Sequence, residues 1–213
     1  ICEGYNRGIA LAKGDHLLLS HDDVEFLEDS FAPNLMHHLQ TFDLIGIAGS
    51  TRCTGGGWGD ARPPYLLGQL AQAQNNFFSV MFFGVYPQAW EAQMLDGVFM
   101  ACHRRVAQEI GFDAASFPRW HGYDSDFSYS AHLRGFRVGV ASDLFAIHHS
   151  WGTYDDDWGR ARAKFVEKHR IHARPLAPGR LAASIATDKP QALRLMKDAL
   201  EISARKMPLK LPA

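Results

Sequence analysis

Apolar runs and helical stretches alternate along the first fifty residues. Residues 5–13 (YNRGIALAK) have a helical pattern that ends at Gly14, and glycine commonly ends a helix by adopting a left-handed conformation. The next run, residues 16–20, is almost continuously apolar, which is typical of a strand buried on both faces. Residues 29–40 have a second helical pattern, and residues 44–48 resemble a second buried strand. This alternation predicts an α/β fold.

The pattern continues up to residue 157. A stretch rich in Gly and Pro, residues 49–64, is predicted as a long loop whose glycines at 55–59 indicate a flexible segment or lid. Further strands are predicted at residues 77–85, 95–102, 136–141 and 144–147, and further helices at residues 103–110 and 124–134. After residue 157 the chain changes to basic helical segments, interrupted by Pro175, Pro178 and Pro190. We therefore expect a domain over residues 1–157, with a mixed, mostly parallel sheet flanked by helices, and a basic helical C-terminal extension over residues 158–213.

The composition fits one large folded domain, or one domain with a modest appendage. Of 213 residues, 46% are hydrophobic and 21% are charged, which excludes a disordered or fibrous chain. The longest apolar run, residues 77–86, has half the length of about 20 residues that a membrane-spanning helix needs. Three cysteines without a C-x-x-C pair argue against a disulfide framework or a zinc ribbon, and they favour a reducing cytoplasm.

Charge is distributed unevenly along the chain. Residues 1–157 contain 9 Lys/Arg and 19 Asp/Glu, for a net charge of −10. Residues 158–213 contain 13 Lys/Arg and 4 Asp/Glu, for a net charge of +9. A basic segment of this kind has two interpretations: it binds an anionic surface such as a membrane or a nucleic acid, or it folds back onto the acidic body.

The first candidate site directly follows the strand predicted at residues 16–20. His21, Asp22 and Asp23 come next, so their side chains lie at the carboxyl end of a strand. Adjacent carboxylates repel each other there unless a cation such as Mg²⁺ or Mn²⁺ lies between them and substrate phosphates. The pattern fits either a metal–diphosphate site or a solvated acidic turn.

Three later stretches contain further candidates. Asp124 falls where a helix begins, so it is either a simple N-cap or a general base, and the aromatic loop at 117–123 suits a polyhydroxylated acceptor. His148 and His149 follow a predicted strand, and a histidine there either completes a metal site begun by an aspartate or is structural. Asp96, at the start of DGVFM, is a further acidic candidate.

Taken in order, three stretches resemble family-2 glycosyltransferases. YNRGIALAKGDHLLLSHDDVEF is similar to the helix, Gly-Asp turn and strand that lead into the Asp-x-Asp metal motif of that family. LDGVFMACHRRVAQEIGFD is similar to the acceptor-side strand and helix, and GYDSDFSYSAHLRGFRVGVASDLFAIHHSWG to the catalytic Glu-Asp helix and a later metal-ligand histidine. The subgroup with the greatest similarity is the bacterial family-2-like transferases related to the StrF domain of streptomycin biosynthesis. The resemblance extends over residues 2–152.

The resemblance implies a GT-A fold, a nucleotide-diphosphate sugar as donor, Mn²⁺ or Mg²⁺ as cofactor, and inversion at the anomeric carbon. By the same resemblance Asp23 matches the last Asp of the motif and binds the metal. Asp22 matches the variable middle position, and His21 stands where an Asp would contact the donor ribose. His149 is the better match for the third metal ligand, with His148 as the alternative.

The resemblance also assigns the acceptor side. Tyr123 and Asp124 stand at the Glu-Asp pair, which implies Asp124 as the catalytic base and Asp126 as a second acidic candidate. We assign Asp96 to donor binding. The expected acceptor is a hydroxyl of a saccharide or a lipid-linked acceptor, and no nucleic-acid partner is expected. We expect a cytoplasmic protein whose basic tail makes peripheral contact with a membrane.

Two other functions remain open. In the resembling family the nucleotide base rests on strands upstream of the helix at residues 5–13, so the resemblance implies that this chain lacks its N-terminal nucleotide-binding strands. A non-catalytic carbohydrate- or partner-binding module derived from the same fold is therefore one alternative. A metal-dependent nucleotidyltransferase on a related sheet is the other.

Overall fold

A computed structural model describes residues 1–74, 76–173 and 181–206, except for the side chain of Gln74. Within these ranges the chain forms six α-helices, twelve strands and a 3₁₀ helix at Trp58–Ala61. The helices are α1 (Cys2–Leu11), α2 (Phe31–His38), α3 (Arg104–Ile110), α4 (Tyr123–Leu133), α5 (Asp156–His169) and α6 (Lys189–Lys206). The strands are β1 (His16–Ser20), β2 (Val24–Phe26), β3 (Leu44–Gly46), β4 (Ala48–Ser50), β5 (Leu66–Gln74), β6 (Phe77–Gly84), β7 (Trp90–Glu91), β8 (Met94–Leu95), β9 (Phe99–His103), β10 (Val138–Val140), β11 (Ala146–His148) and β12 (Ala183–Thr187).

The strands form two mixed sheets, which confirms the α/β class. One sheet has the order β1-β9-β3-β10-β7. The other has the order β12-β6-β5-β11-β2, and in it β4 also pairs with β5 while β8 pairs with β4. Of the ten strand pairings among the described residues, two are parallel, β3 with β10 and β5 with β11. The expectation of a mostly parallel sheet is wrong, because β9 runs antiparallel to both of its neighbours and β5 forms an antiparallel hairpin with β6.

The apolar run at residues 44–48 is divided between the two sheets. Its first part is β3, in the five-stranded sheet, and its last residue begins β4, in the other sheet. Ile47 lies between the two strands and is fully buried. A run that the sequence predicts as one strand therefore carries the chain from one sheet to the other.

Alternating side chains of β9 cover both faces of the five-stranded sheet. Phe99 packs with α2, where Phe31 and Leu35 are buried, while Met100 packs on the opposite face with Phe127 of α4. Burying a side chain of this size contributes about 1.5–3 kcal/mol each to stability. The continuous apolar composition of β9 follows from this two-sided burial, which fixes α4 against the sheet.

The basic C-terminal segment folds onto the acidic body. Among the described residues, five of its Lys and Arg side chains form ion pairs with carboxylates of residues 1–157: Arg160 with Asp157, Arg162 with Asp60, Lys168 with Asp113 and Asp126, Lys189 with Glu25, and Lys197 with Glu28. The segment also contributes β12, which pairs with β6. Of the two interpretations of its charge, the structure therefore shows the basic segment folded back onto the acidic body.

Of the three prolines at which the sequence predicts interruptions in the C-terminal segment, one lies in the described residues. Pro190 lies in the first turn of α6, a position that tolerates proline because the first amides of a helix have no intrahelical acceptor. Pro175 and Pro178 lie outside the described residues. Across the described ranges, no helix combines the length and the apolar character that crossing a bilayer requires.

Candidate functional site

A cavity of about 780 Å³ opens where several loops meet at the ends of the strands. The segments that line it include the residues after β1 (21–23), the loop of the 3₁₀ helix (56–62), the turn between β8 and β9 (96–98), the start of α4 (120–125) and the residues from the end of β11 into α5 (148–162). Strand ends are where ligands bind in open α/β sheets, because the connecting loops form a crevice there. The sequence-derived candidates at the ends of β1 and β11 therefore meet at one cavity.

His21, Asp23 and His148 form a compact group on one wall of the cavity. The Nδ1 atom of His21 lies 3.1 Å from Nε2 of His148, and the same Nε2 lies 3.2 Å from Oδ1 of Asp23. The register between β2 and β11 produces this contact, since Val24 stands opposite His148 and places the preceding Asp23 beside it. Two imidazole nitrogens and one carboxylate oxygen thus converge within bonding reach of one ion.

The other ring nitrogen of each histidine in this group contacts a polar side chain outside the group. Nε2 of His21 lies 2.8 Å from the Tyr123 hydroxyl, which itself donates to the carbonyl oxygen of Gly97 at 3.1 Å. On the other ring, Nδ1 of His148 lies 3.3 Å from the side-chain amide of Gln72 on β5. Outer partners of this kind fix the orientation of metal-binding imidazoles.

A divalent cation fits these residues. Two ligand atoms about 2.1 Å from a common ion and at right angles to each other are roughly 3.0 Å apart, close to the 3.1 and 3.2 Å separations in this group. Burial and the nearby His148 lower the pKa of His21, which favours the neutral imidazole that a metal needs. Partial burial opposes ionisation of Asp23, but the hydrogen bond from Ser150 and the proximity of His148 outweigh it, so the pKa of Asp23 is below its ordinary value.

A second pair of carboxylates, Asp96 and Asp124, also lines the cavity. Asp96 accepts hydrogen bonds from Nε1 of Trp58 at 2.9 Å and from the backbone N–H of Val98 at 2.9 Å. Asp124 accepts one from the backbone N–H of Gly97 at 3.0 Å. Burial, together with the negative charge of Asp96, raises the pKa of Asp124 to about 7. A carboxyl group with that pKa can exchange a proton with a substrate near neutral pH.

Gly97 allows the β8–β9 turn to lie in close contact with the start of α4. A Cβ atom at this position would lie 2.2 Å from the Tyr123 hydroxyl and 2.8 Å from Cβ of Asp124. Any side chain would therefore displace α4 from the turn. The hydrogen bond to Asp124 and the one to the Gly97 carbonyl both depend on this glycine.

The loop with the 3₁₀ helix is fixed to α5. The Asp60 carboxylate forms two hydrogen bonds with the Arg162 guanidinium, at 2.9 and 2.7 Å, and both side chains are largely buried. Gly56 packs against the backbone of Arg162, where a Cβ atom would come within 2.6 Å. The glycines that the sequence assigns to a flexible loop instead permit close contact with a helix, and the loop and α5 together form one wall of the cavity.

Three further residues that the sequence suggests for the site, Asp22, His149 and Asp126, do not belong to the two groups described above. Asp22 is exposed and lines the cavity beside the histidine–aspartate group. His149 pairs with Glu25 at 3.0 Å, rather than with Asp23. Asp126 is buried and faces α5, where Lys168 and Nε2 of His169 each approach it within 2.9 Å.

Trp58 and Gln72 have no role assigned by the sequence patterns, and Tyr123 is expected there only as part of the aromatic loop on the acceptor side. Trp58 lies in a loop, Gln72 lies within a strand, and Tyr123 stands beside the expected base. Gln72 is one of three glutamines in β5, with Gln69 and Gln74, and glutamine recurring in an apolar strand is a local sign that one of them has a polar role. The partners of Trp58 and Tyr123 lie 38 and 102 residues away, so the local sequence contains no sign of them.

Comparison with known proteins identifies the family. Residues 1–169 match the model of a glycosyltransferase-like family, and the chain belongs to that family. No curated protein matches the chain. Among solved structures, the chain is similar at 14% identity and a TM-score of 0.45 to a mannosyltransferase from Pyrobaculum calidifontis in complex with GDP-Man and Mn²⁺. That alignment includes 98% of this chain and 56% of the mannosyltransferase chain, so this chain spans just over half the length of the protein it resembles.

Proposed function

We propose that this member of the glycosyltransferase-like family transfers a sugar from a nucleotide-diphosphate donor to a hydroxyl of a saccharide or lipid-linked acceptor, with inversion. One observation supports this most strongly. A group of possible metal ligands and a carboxyl group with a pKa of about 7 open into the same cavity. A single displacement needs a cation for the leaving diphosphate and a base for the attacking hydroxyl within reach of the same two substrates.

The donor side consists of His21, Asp23 and His148, which would hold the divalent cation. When bound, that cation would supply positive charge to the departing diphosphate. Asp22, which is exposed, and Asp96 line the same cavity, so both stay assigned to donor binding. His148 replaces His149 as the proposed third ligand because it is the histidine in contact with Asp23.

The acceptor side centres on Asp124, which would take the proton of the attacking hydroxyl. The hydrogen bond from Gly97 holds its carboxyl group in place, and burial together with the charge of Asp96 raises the pKa of Asp124. Asp126, the second acidic candidate, is engaged by Lys168 and His169 and serves as an anchor for α5. A base on this side would assist attack opposite the leaving diphosphate.

Exposed aromatic rings at the cavity support a saccharide acceptor. Trp120, Trp151 and Tyr154 line it, although 54%, 45% and 69% of their surfaces are exposed. Large apolar rings are costly to leave in water, and sugar rings have apolar faces that stack on them. These three side chains would hold the acceptor near Asp124.

Transfer assays combined with binding measurements test this function. The 213-residue chain is incubated with UDP- and GDP-linked sugars, Mn²⁺ and a panel of oligosaccharide and lipid-linked acceptors, and products are identified by mass spectrometry. We expect sugar transfer that the Asp124→Asn variant loses. Binding of a saccharide without turnover of any donor would instead favour the non-catalytic module, and release of a nucleotidyl product would favour the nucleotidyltransferase.

The proposal includes a cytoplasmic location and a peripheral contact between the tail and an anionic membrane. Exposed Arg194, Ile202 and Lys206 on α6 support the contact, because each basic residue near such a surface contributes about 1 kcal/mol. Partitioning onto phosphatidylserine vesicles should weaken when Arg194 and Lys206 are both changed to Gln. Equal partitioning of the variant and the unchanged chain would overturn this part.

A further inference from the structure

We propose that Ser128 of α4 is a positioning residue whose hydroxyl sets the separation between Asp124 and the turn that carries Asp96. The inference rests on the proposed function, because Asp124 is the base assigned there. Ser128 is fully buried and is not one of the described residues that line the cavity, so it acts on a substrate only through its neighbours. The carrying observation is a pair of hydrogen bonds that its hydroxyl makes, one to β8 and one to the backbone of Asp124.

The Ser128 hydroxyl bridges two segments of the site. It accepts a hydrogen bond from the backbone N–H of Leu95 at 3.0 Å and donates to the carbonyl oxygen of Asp124 at 2.6 Å. A hydroxyl has one proton and two lone pairs, so it makes both bonds at once. Leu95 is the last residue of β8 and Asp96 follows it directly. The bridge therefore joins the residue before one carboxylate to the backbone of the other.

The direction of the Leu95 amide explains why a serine stands opposite it. The next amide along the chain, that of Asp96, donates to the carbonyl oxygen of Ala48 on β4 at 2.9 Å. Successive amides of a strand point to opposite sides, so the Leu95 N–H points away from β4 and toward α4. Leu95 is fully buried, and a buried amide that loses its acceptor destabilises the fold. The serine therefore holds β8 against the helix.

Two further hydrogen bonds join the same turn to the start of α4. The Gly97 N–H donates to the Asp124 carboxylate at 3.0 Å, and the Tyr123 hydroxyl donates to the Gly97 carbonyl oxygen at 3.1 Å. Gly97 follows Asp96 and Leu95 precedes it, so the turn is attached to α4 on both sides of Asp96. Without the Ser128 hydroxyl, the attachment would remain on one side only, which lets the turn tilt away from the helix.

The position of the turn matters because of the charge that it carries. Burial, and after it the negative charge of Asp96, raises the pKa of Asp124 to about 7. Tyr5 of α1 and Tyr123 also lie close to Asp124. Burial and the Asp124 charge raise the pKa of Tyr5 to about 12 and that of Tyr123 well above its ordinary value, so both hydroxyls are neutral near pH 7. Among these neighbours, Asp96 is the charged group whose separation from Asp124 affects how readily the base ionises.

Titration of Asp124 in the metal-free 213-residue chain tests the inference without any measurement of activity. The chain is labelled with ¹³C at the aspartate carboxyl groups, and the Asp124 resonance is identified by its loss in Asp124→Asn. In Ser128→Ala the turn is released on one side, so the midpoint of the Asp124 titration should move by roughly 0.5–1 pH units to lower pH. An unchanged midpoint in the folded variant would overturn the proposal.

A second buried serine provides the matched control. Ser142 is 4% exposed, its hydroxyl accepts the backbone N–H of Tyr86 at 3.3 Å, and it is not among the described residues of the cavity lining. Ser142→Ala deletes the same kind of hydrogen bond and should leave the Asp124 midpoint in place. A displacement as large as that in Ser128→Ala would reduce Ser128 to a general contribution to packing and overturn its positioning role.

Two further substitutions at the same position keep the test independent of folding. Ser128→Cys preserves the volume but replaces the hydroxyl with a weakly bonding thiol, so it should displace the midpoint as Ser128→Ala does. It takes the place of Ser128→Ala if that variant is unfolded by circular dichroism. Ser128→Thr retains a hydroxyl that can bond the carbonyl one turn earlier, and it should restore the midpoint of the unchanged chain.

A double variant shows whether Ser128 acts through Asp96. Asp96→Asn removes the charge, so adding Ser128→Ala to it should displace the Asp124 midpoint by less than Ser128→Ala does alone. Effects of residues that act on each other in this way are not additive. Fully additive displacements would show that the separation between the turn and Asp124 is not what Ser128 sets, and would overturn the proposal.

Kinetics then separates this inference from the transferase proposal. In an active chain, Ser128→Ala should lower kcat by about 10–100-fold and leave the KM for the donor unchanged, because the base is misplaced while donor binding is intact. A displaced Asp124 midpoint in a chain that transfers no sugar would sustain the role of Ser128 and contradict the enzyme. Sugar transfer with the same midpoint and the same kcat in Ser128→Ala would sustain the enzyme and contradict the role of Ser128.

Discussion

His148 and His149 are adjacent in the chain but contact different carboxylates. Nε2 of His148 lies 3.2 Å from Asp23, whereas Nε2 of His149 lies 3.0 Å from Glu25. The two side chains leave the end of β11 on opposite faces, because successive residues of a strand alternate. Neighbouring histidines therefore have separate roles, and mutation can distinguish them.

Metal and nucleotide together should stabilise the folded chain through Asp23. At 100 times the dissociation constant, a bound ligand adds about 2.7 kcal/mol to the free energy of unfolding. We expect Mn²⁺ with GDP or UDP to raise the melting temperature of the unchanged chain and of His149→Ala, and to have no metal-dependent effect on Asp23→Ala. Thermal denaturation monitored by intrinsic fluorescence measures this. A full metal-dependent shift in Asp23→Ala would contradict the assignment.

Asp124→Asn and Asp126→Asn should fail in different ways. Loss of the base should lower turnover by at least about 10²-fold and leave metal binding intact. Asp126→Asn should keep most of the turnover but lower the free energy of unfolding by roughly 1–3 kcal/mol, because a buried carboxylate bonded to Lys168 and His169 loses its charge. Steady-state kinetics and urea denaturation separate the two effects. An inactive Asp126→Asn of unchanged stability would reverse the assignment.

The rate of transfer should depend on pH through Asp124. A base with a pKa of about 7 is protonated and inactive in acid, so the rate should rise as the pH passes through 7. Asp96→Asn removes the negative charge that opposes ionisation, and should move this rise to lower pH. Initial rates between pH 5 and 9 check both statements. If the rate of Asp96→Asn rises at the same pH as that of the unchanged chain, the charge of Asp96 does not act on the base.

The same pKa predicts how stability depends on pH. The folded chain retains the Asp124 proton between an ordinary Asp pKa near 3.8 and about 7, whereas the unfolded chain releases it, so this group lowers stability as the pH rises through that window. Asn cannot ionise. The melting temperature of Asp124→Asn relative to the unchanged chain should therefore increase from pH 5 to pH 8, and a constant difference would argue against a raised pKa.

Trp58 should act on the reaction through Asp96. Trp58→Phe removes the indole N–H that donates to Asp96 and leaves the donation from Val98. Because Asp96 then has one donor fewer to hold its carboxylate beside Asp124, we expect slower turnover. Mn²⁺ binding should not change. Trp90→Phe is the control, because Trp90 of β7 stacks on Tyr86 and has no contact with Asp96 among those described. An effect of equal size in this control would indicate a general loss of packing.

The sequence predicts the parts of this site that depend on local pattern. An apolar run followed by acidic residues places Asp22 and Asp23 at the end of β1, and a helix signal places Asp124 at the start of α4. Both features result from short-range preferences for strands, caps and turns. They are therefore visible within about twenty residues of sequence.

The parts that were not predicted depend on pairing between distant segments. Whether His148 or His149 contacts Asp23 is set by the register of β11 on β2, which begins more than 120 residues earlier. Similarly, the change of sheet at Ile47 follows from the strands on each side, and apolar composition alone does not encode it. Strand direction and register come from the assembled sheets, which explains why the sequence identified the candidates but not their partners.

Tyr123 and Asp124 are consecutive residues, yet one supports His21 and the other is the proposed base. A single turn of helix thus sets the spacing between the two halves of the reaction. Natural variation that shifts this turn would disturb leaving-group departure and proton removal at once, so it should be tolerated poorly. Divergence toward new acceptors has more freedom in the segment at 150–155, whose aromatic rings can be exchanged while the reacting distance stays constant.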